Sequence, residues 1–234
     1  MSTFDIIAFD ADDTLWHSER YYAQTQSEFV KLLAHYRGEE YIRAHLDEVE
    51  ARNIQHFGYG VKGFALSMIE SAVELTDGRV SGHDIKAIIA LAKDMLNADI
   101  ELLNGVSETV AQLAARHRLM VITKGDLLDQ EKKLQRSGLG KYFQRVEIVS
   151  DKTRESYERL LAEHSIEPSR FFMVGNSLRS DILPIIELGG SAAYIPYEIT
   201  WQHETAEPPT GQPGFHQLEH IGQLPALLAK LEEA

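Results

Sequence analysis

Asp10 and Asp12 stand two positions apart directly after the apolar run Phe4-Asp5-Ile6-Ile7-Ala8-Phe9. The Ile and Phe content of that run predicts a strand, so both acids leave its carboxyl end, where open α/β sheets place ligands. One carboxylate at such a point can attack an electrophile while its neighbour carries a proton. Three more polar sets end later apolar runs: Thr123 with Lys124 and Gly125, then Lys152, then Gly175-Asn176-Ser177 followed by Asp181.

Bringing these residues together requires a sheet. Residues 4–9, 119–123, 146–150, 171–175 and 192–196 have strand character, and helical patterns separate the later ones. Val106, Val110, Leu113 and Ala114 recur at helical spacing, and Leu127, Leu128, Leu134 and Leu139 follow less regularly. This alternation predicts a parallel sheet with helical crossovers. Residues 16–100 break it with at least four helical patterns, starting near Ser18, Glu39, Val61 and Ser81. The last carries the apolar stripe Ile85, Ile88, Ile89, Ala92, Met95 and Leu96, with Ser81 and Asp84 in a capping arrangement. An all-helical insert of this length reads as its own small domain, within which Gly58 and Gly60 break the helices. Its turn, His56-Phe57-Gly58-Tyr59-Gly60, is expected to bend toward the core site. Residues 198–215 hold Pro208, Pro209, Gly211, Pro213 and Gly214 and read as an irregular loop. A final amphipathic helix is expected at about 224–231.

Composition narrows the function classes. With 234 residues, 44% of them hydrophobic, the chain can bury one good core and carry a smaller inserted domain. Lys and Arg number 23 against 36 Asp and Glu, a net charge of −13, which argues against broad attraction to nucleic acid or an anionic membrane. An anionic substrate would need that field offset locally, by lysines and a metal ion. Cysteine is absent, which excludes disulfides, thiolate catalysis and zinc–sulfur sites. No stretch approaches a membrane span, and Met1-Ser2-Thr3-Phe4-Asp5 lacks the basic and apolar regions of a leader. The expectation is a cytoplasmic protein.

The strand-end residues, taken as a set, resemble the motifs of the haloacid dehalogenase-like hydrolase superfamily. These are an Asp-x-Asp-x-Thr box, here Asp10-Ala11-Asp12-Asp13-Thr14, a strand-terminal Thr or Ser, a Lys, and an acidic pair near a Gly. The resemblance implies an α/β core, a Rossmann-like parallel sheet flanked by helices, over residues 1–15 and 101–234, with an all-helical cap over 16–100. It also implies Mg²⁺ as cofactor and a small phosphorylated metabolite as substrate.

Chemistry gives each residue a role within that frame. Phosphate-ester hydrolysis needs an in-line nucleophile, a proton donor for the leaving oxygen and positive charge around the equatorial oxygens. Asp10 is placed to form an aspartyl-phosphate, and Asp12 to protonate the leaving alcohol and then activate water. Thr123 and nearby amides can donate to a phosphoryl oxygen, with Gly125 permitting close approach and Lys124 facing substrate or solvent. By resemblance, Lys152 neutralises Asp10 and the phosphoryl group. The resemblance also assigns the metal to Asp10, the Asp12 backbone carbonyl and Asp181, the hard oxygen donors that Mg²⁺ prefers, with Asn176 standing where the family usually has an acid. Asp126 reads as the N-cap of the next helix, and Arg179 and Ser180 as the start of another. His203, His216 and His220 suit exposed or packing roles.

Other reactions fit parts of the same set. Carbon–halogen hydrolysis needs no protonated alkoxide, and similar enzymes that perform it lack the second acid, so Asp12 favours phosphate esters. Gly58-Tyr59-Gly60-Val61-Lys62 loosely resembles the Schiff-base segment of phosphonoacetaldehyde hydrolases, a role that Lys62 could fill only if buried. A phosphomutase would share Asp10 and Asp12. A non-catalytic phosphate-binding or scaffold protein rests on Asn176 alone. Tyr59, Lys62 and Phe64 are the cap candidates for contact with the leaving group.

Overall fold

A computed structural model describes residues 3–199, 201 and 204–233; His203 lies outside the described residues. Two compact units emerge: one from the chain up to Glu19, Ile100–Lys124 and the chain from Gln130 onward, the other from Arg20–Asp99 and Gly125–Asp129. The transitions fall a few residues from the expected 15/16 and 100/101, and the turn after the second strand groups with the helices.

The first unit is a six-stranded, all-parallel sheet in the order β3-β2-β1-β4-β5-β6. Its strands are β1 (Ile6–Phe9), β2 (Leu119–Lys124), β3 (Arg145–Val149), β4 (Phe171–Gly175), β5 (Ser191–Tyr194) and β6 (Phe215–Gln217). β1 is central and buried throughout, as expected of a parallel strand covered on both faces. Its side chains alternate: Ile7 and Phe9 join one core layer with Val106, Val110, Leu224 and Leu228, while Ile6 and Ala8 join another with Tyr157, Leu160, Leu161 and Ile185. The period of two thereby seats α5 (Val106–Ala114) and α9 (Leu224–Glu233) on one face, and α7 (Arg154–Glu163) and α8 (Leu183–Glu187) on the other. After β3 the chain returns to the far side of β1 to form β4, creating the topological switch point at which such sheets bind ligands.

β6 was not anticipated. It is short and follows Gly211, Pro213 and Gly214, and its Phe-His-Gln sequence has little strand signature; Phe215, His216 and Gln217 pair with Ala192, Ala193 and Tyr194. Arg179 and Ser180 do begin the next helical stretch, though its first turn is not α-helical. They lie in a π-helical turn, Leu178–Ile182, capped by the Ser177 side chain on the Ser180 N–H, before α8 starts at Leu183.

The second unit contains α1 (Glu19–Leu33), α2 (Glu39–Phe57), α3 (Val61–Leu75) and α4 (Gly82–Asn97), close to the starts read from sequence. Phe29, Leu33, Ile42, Leu46, Phe64, Met68 and Ile88 fill its core, so Phe64 packs inside the helices. Ile88 and Ala92 of the α4 stripe are buried, but Ile89 is exposed. Ser81 caps α4 by accepting the Asp84 N–H at 3.0 Å. Gly58 and Gly60, at φ 71° and 110°, separate α2 from α3 in the left-handed region that favours glycine. α6 (Leu127–Ser137) follows β2; Leu134 is buried whereas Leu127 and Leu128 are exposed, which accounts for its irregular apolar pattern.

Candidate functional site

The loops after β1, β2, β3 and β4 converge at the carboxyl end of the sheet. Lys152 follows β3 and is buried; its ammonium donates to Asp10 and, at 2.8 Å, to Asp181 Oδ1. Thr14 donates to Asp10 Oδ2 at 3.1 Å. Burial, opposed by Lys152 and reinforced by Asp181, pushes Asp10 up to about 7. Burial alone would depress Lys152, yet Asp10 and Asp181 hold its ammonium well above the ordinary lysine range. Two buried carboxylates therefore share one cation. The Tyr157 hydroxyl is also buried, and among the described residues it has no hydrogen-bond partner.

Asp181 owes its position to Gly175. A Cβ there would sit 2.2 Å from Asp181 Oδ2, so only glycine admits the side chain, which also accepts the Ser177 N–H at 3.0 Å. The Asn176 amide reaches the same place. With its nitrogen inward it donates to Asp12 O at 3.3 Å, Asp10 Oδ2 at 3.2 Å and Thr14 Oγ1 at 3.1 Å. With its oxygen inward it accepts from Thr14 at 3.1 Å, in place of the Thr14 bond to Asp10, and joins Asp10 Oδ2 and Asp12 O in an all-oxygen set. No group of three or more His, Cys, Asp or Glu side chains is placed to hold a metal among the described residues. Two carboxylates, an amide oxygen and a backbone carbonyl nevertheless suit Mg²⁺, which keeps several waters and takes few protein ligands.

The three acids of the first loop have separate surroundings. Asp13, at φ 62°, a conformation that Asp tolerates better than most residues, caps α1 by accepting the Ser18 and Glu19 N–H groups at 2.8 and 3.0 Å. Asp12 is gripped by three side chains, two of them on α6. Oδ1 accepts from Trp16 Nε1 at 2.7 Å and Lys133 Nζ at 3.1 Å, and Oδ2 from Gln130 Nε2 at 2.7 Å and Lys133 at 3.3 Å. Burial opposes the charge on Asp12, but Lys133, Gln130 and Trp16 hold its carboxyl below the ordinary value.

The remaining candidates divide. Thr123 is buried at the end of β2, its hydroxyl donating to the Lys124 carbonyl at 3.3 Å, and Gly125 adopts φ 123°, a turn open to glycine. Lys124 faces neither open solvent nor an empty anion site: its ammonium binds Glu204 at 2.5 Å and Ser180 at 2.9 Å. Glu204 also accepts from Ser177 and Ser180, both at 2.5 Å. Lys62, its side chain 58% exposed, pairs with Asp126 at 2.8 Å, so the burial required for an imine is missing. Asp126 accepts the Asp129 N–H at 3.4 Å, a long contact at the start of α6. His216 stacks on Phe172 at 6.0 Å, and His220 is exposed. Sequence reasoning missed Gln130, Lys133 and Glu204. The first two carry a faint signal, an i, i+3 pair on one helix face; Glu204, an acid in a proline-rich loop, carries none.

A parallel α/β core with a carboxylate, lysine and carboxylate cluster at its switch point places the chain in the Rossmann-like α/β class. The model of the haloacid dehalogenase-like hydrolases matches residues 4–189, and the chain belongs to that family. A haloacid dehalogenase-like hydrolase from Xanthomonas campestris is 39% identical, covering 99% of this chain and 93% of its own, with a TM-score of 0.89. A Bacillus subtilis HAD hydrolase solved with magnesium shares the fold at 14% identity and TM-score 0.68, over 97% of this chain and 100% of its own. N-acylneuraminate-9-phosphatase of Mus musculus is 23% identical over 99% of this chain and 96% of its own length. Among the described residues, no helix is long and apolar enough to cross a membrane.

Proposed function

We propose that the protein is a Mg²⁺-dependent phosphatase of small organic phosphate monoesters. The observation that carries the reading is the pairing of a Lys152-bound Asp10 with a second acid, Asp12, two residues on. Near full-length similarity to a phosphatase supports it. In this reading an Asp10 oxygen bonds to phosphorus as the ester P–O bond breaks; the leaving oxygen keeps the electron pair of that bond and takes a proton from Asp12. Water then attacks the aspartyl-phosphate and gives its proton to Asp12, and phosphate and free Asp10 result. Lys152 and Thr123 donate to the phosphoryl oxygens. Asp10, Asp181, Asn176 and the Asp12 carbonyl would hold Mg²⁺, which supplies further charge neutralisation. The helical unit acts as the cap that selects the substrate and excludes water, in a cytoplasmic setting.

The test is hydrolysis of 4-nitrophenyl phosphate and of phosphorylated metabolites by the purified protein with and without Mg²⁺. Turnover that requires Mg²⁺ and vanishes in Asp10→Asn is the expected result. Halide release from a 2-haloacid with no phosphate ester turned over would overturn the reading.

A further inference from the structure

Three side chains that belong to no motif of the first loop's chemistry converge on Asp12. Trp16 sits four residues on, whereas Gln130 and Lys133 come from α6, 118 and 121 positions away. Both carboxylate oxygens are occupied, each by two donors. A carboxylate has about four lone-pair sites, so this number of donors fixes the side-chain rotation as well as its place.

Gln130 shows that the arrangement is not a by-product of good packing. Its amide nitrogen donates to Asp12 Oδ2 at 2.7 Å and to the Lys124 carbonyl at 3.0 Å. Both neighbours are acceptors, which determines the amide orientation. The consequence is a buried Oε1 that has no hydrogen-bond partner among the described residues. Leaving a buried acceptor unsatisfied is costly, and an apolar side chain of similar size would avoid it. Lys133, with its side chain 12% exposed, likewise gives up much of its hydration to reach the same carboxylate.

We propose that Lys133 and Gln130 are positioning residues for proton transfer, holding the Asp12 carboxyl in the one rotation from which it serves the leaving oxygen. The proposal rests on the phosphatase reading above and deepens it. Neither residue touches the phosphoryl group in this role. Asp12 takes up the proton of a monoanionic phosphate ester as it binds, one of the two Lys133 contacts giving way to it, and delivers that proton to the leaving oxygen as the P–O bond breaks; the two α6 residues restrict where it is presented.

Leaving-group dependence separates this role from a merely structural one. An alkoxide needs a proton as it departs, and 4-nitrophenolate does not. Wild type, Lys133→Met, Lys133→Arg and Gln130→Met are compared on a simple alkyl phosphate and on 4-nitrophenyl phosphate with Mg²⁺, using kcat/KM, which reports the steps up to phosphoryl transfer. In Lys133→Met and Gln130→Met the alkyl-to-aryl ratio should fall by about tenfold or more, and Lys133→Arg should recover most of it. Adding Lys133→Met to Asp12→Asn should change the ratio no further. Thermal melting should show Gln130→Met folded, since it removes the orphaned oxygen. An unchanged ratio in both folded variants overturns the positioning role while leaving the phosphatase reading in place. Wild-type protein that hydrolyses neither ester overturns the phosphatase reading itself.

Discussion

Lys152 Nζ lies 2.8 Å from Asp181 Oδ1, with both side chains 1% exposed, and the same ammonium also serves Asp10. Removing one partner from a buried ion pair leaves a charge without compensation, which costs about 3–5 kcal/mol. Lys152→Met should therefore lose stability on that scale in urea denaturation at neutral pH. Mg²⁺ should restore more stability to this variant than to wild type, because binding to the native state stabilises it by mass action. Equal Mg²⁺ effects on both proteins would contradict a shared carboxylate site.

Gly175→Ala tests how Asp181 is placed. The added Cβ would meet Asp181 side-chain atoms at 2.2 to 2.5 Å, so the carboxylate must move. The expected outcome is a loss of about 1–3 kcal/mol from overpacking and a fall in kcat of roughly 100-fold, since small displacements of reacting groups are that damaging. Steady-state kinetics on a variant shown to be folded decides it.

Glu19 offers a pH-dependent signature. Burial, Asp12 and Glu204 push its carboxyl from 4.5 up to about 7. An acid raised on folding favours the native state while protonated: the contribution is complete below pH 4.5 and is lost as pH rises through about 7. Glu19→Gln keeps a neutral group at every pH. It should match wild type at low pH and be more stable by roughly 1–3 kcal/mol above pH 8, as read from melting curves across the pH range.

Glu204 joins Lys124, Ser177 and Ser180 through one carboxylate. Glu204→Ala should cost about 2–4 kcal/mol, because the half-buried Lys124 loses its closest counter-charge. Adding Lys124→Met should recover part of that loss, so the two substitutions should be strongly non-additive in a double-mutant cycle. Simple additivity would show that the pair contributes little.

Much of the candidate site was legible because local chemistry places its residues. Asp10, Thr123, Lys152 and Asn176 stand at or just after the ends of apolar runs, and a parallel sheet brings such ends to one edge. The helix starts at Glu39 and Val61 and the Ser81 cap were likewise local signals. β6 escaped because three weakly apolar residues form a strand only against a β5 that is already in place.

The sequence by itself determined the alternation of elements, the insertion of helices after the first strand and the order of chemical groups along the sheet edge. Periodicity, capping and strand-end position are short-range properties, and they survive in a one-dimensional reading. Only the tertiary structure decided that Lys124 answers Glu204 across 80 positions, that Lys62 faces solvent beside Asp126, and that Asp12 is held by Gln130 and Lys133. A charged side chain takes whichever partner the fold brings within about 3 Å, and no local pattern encodes that choice.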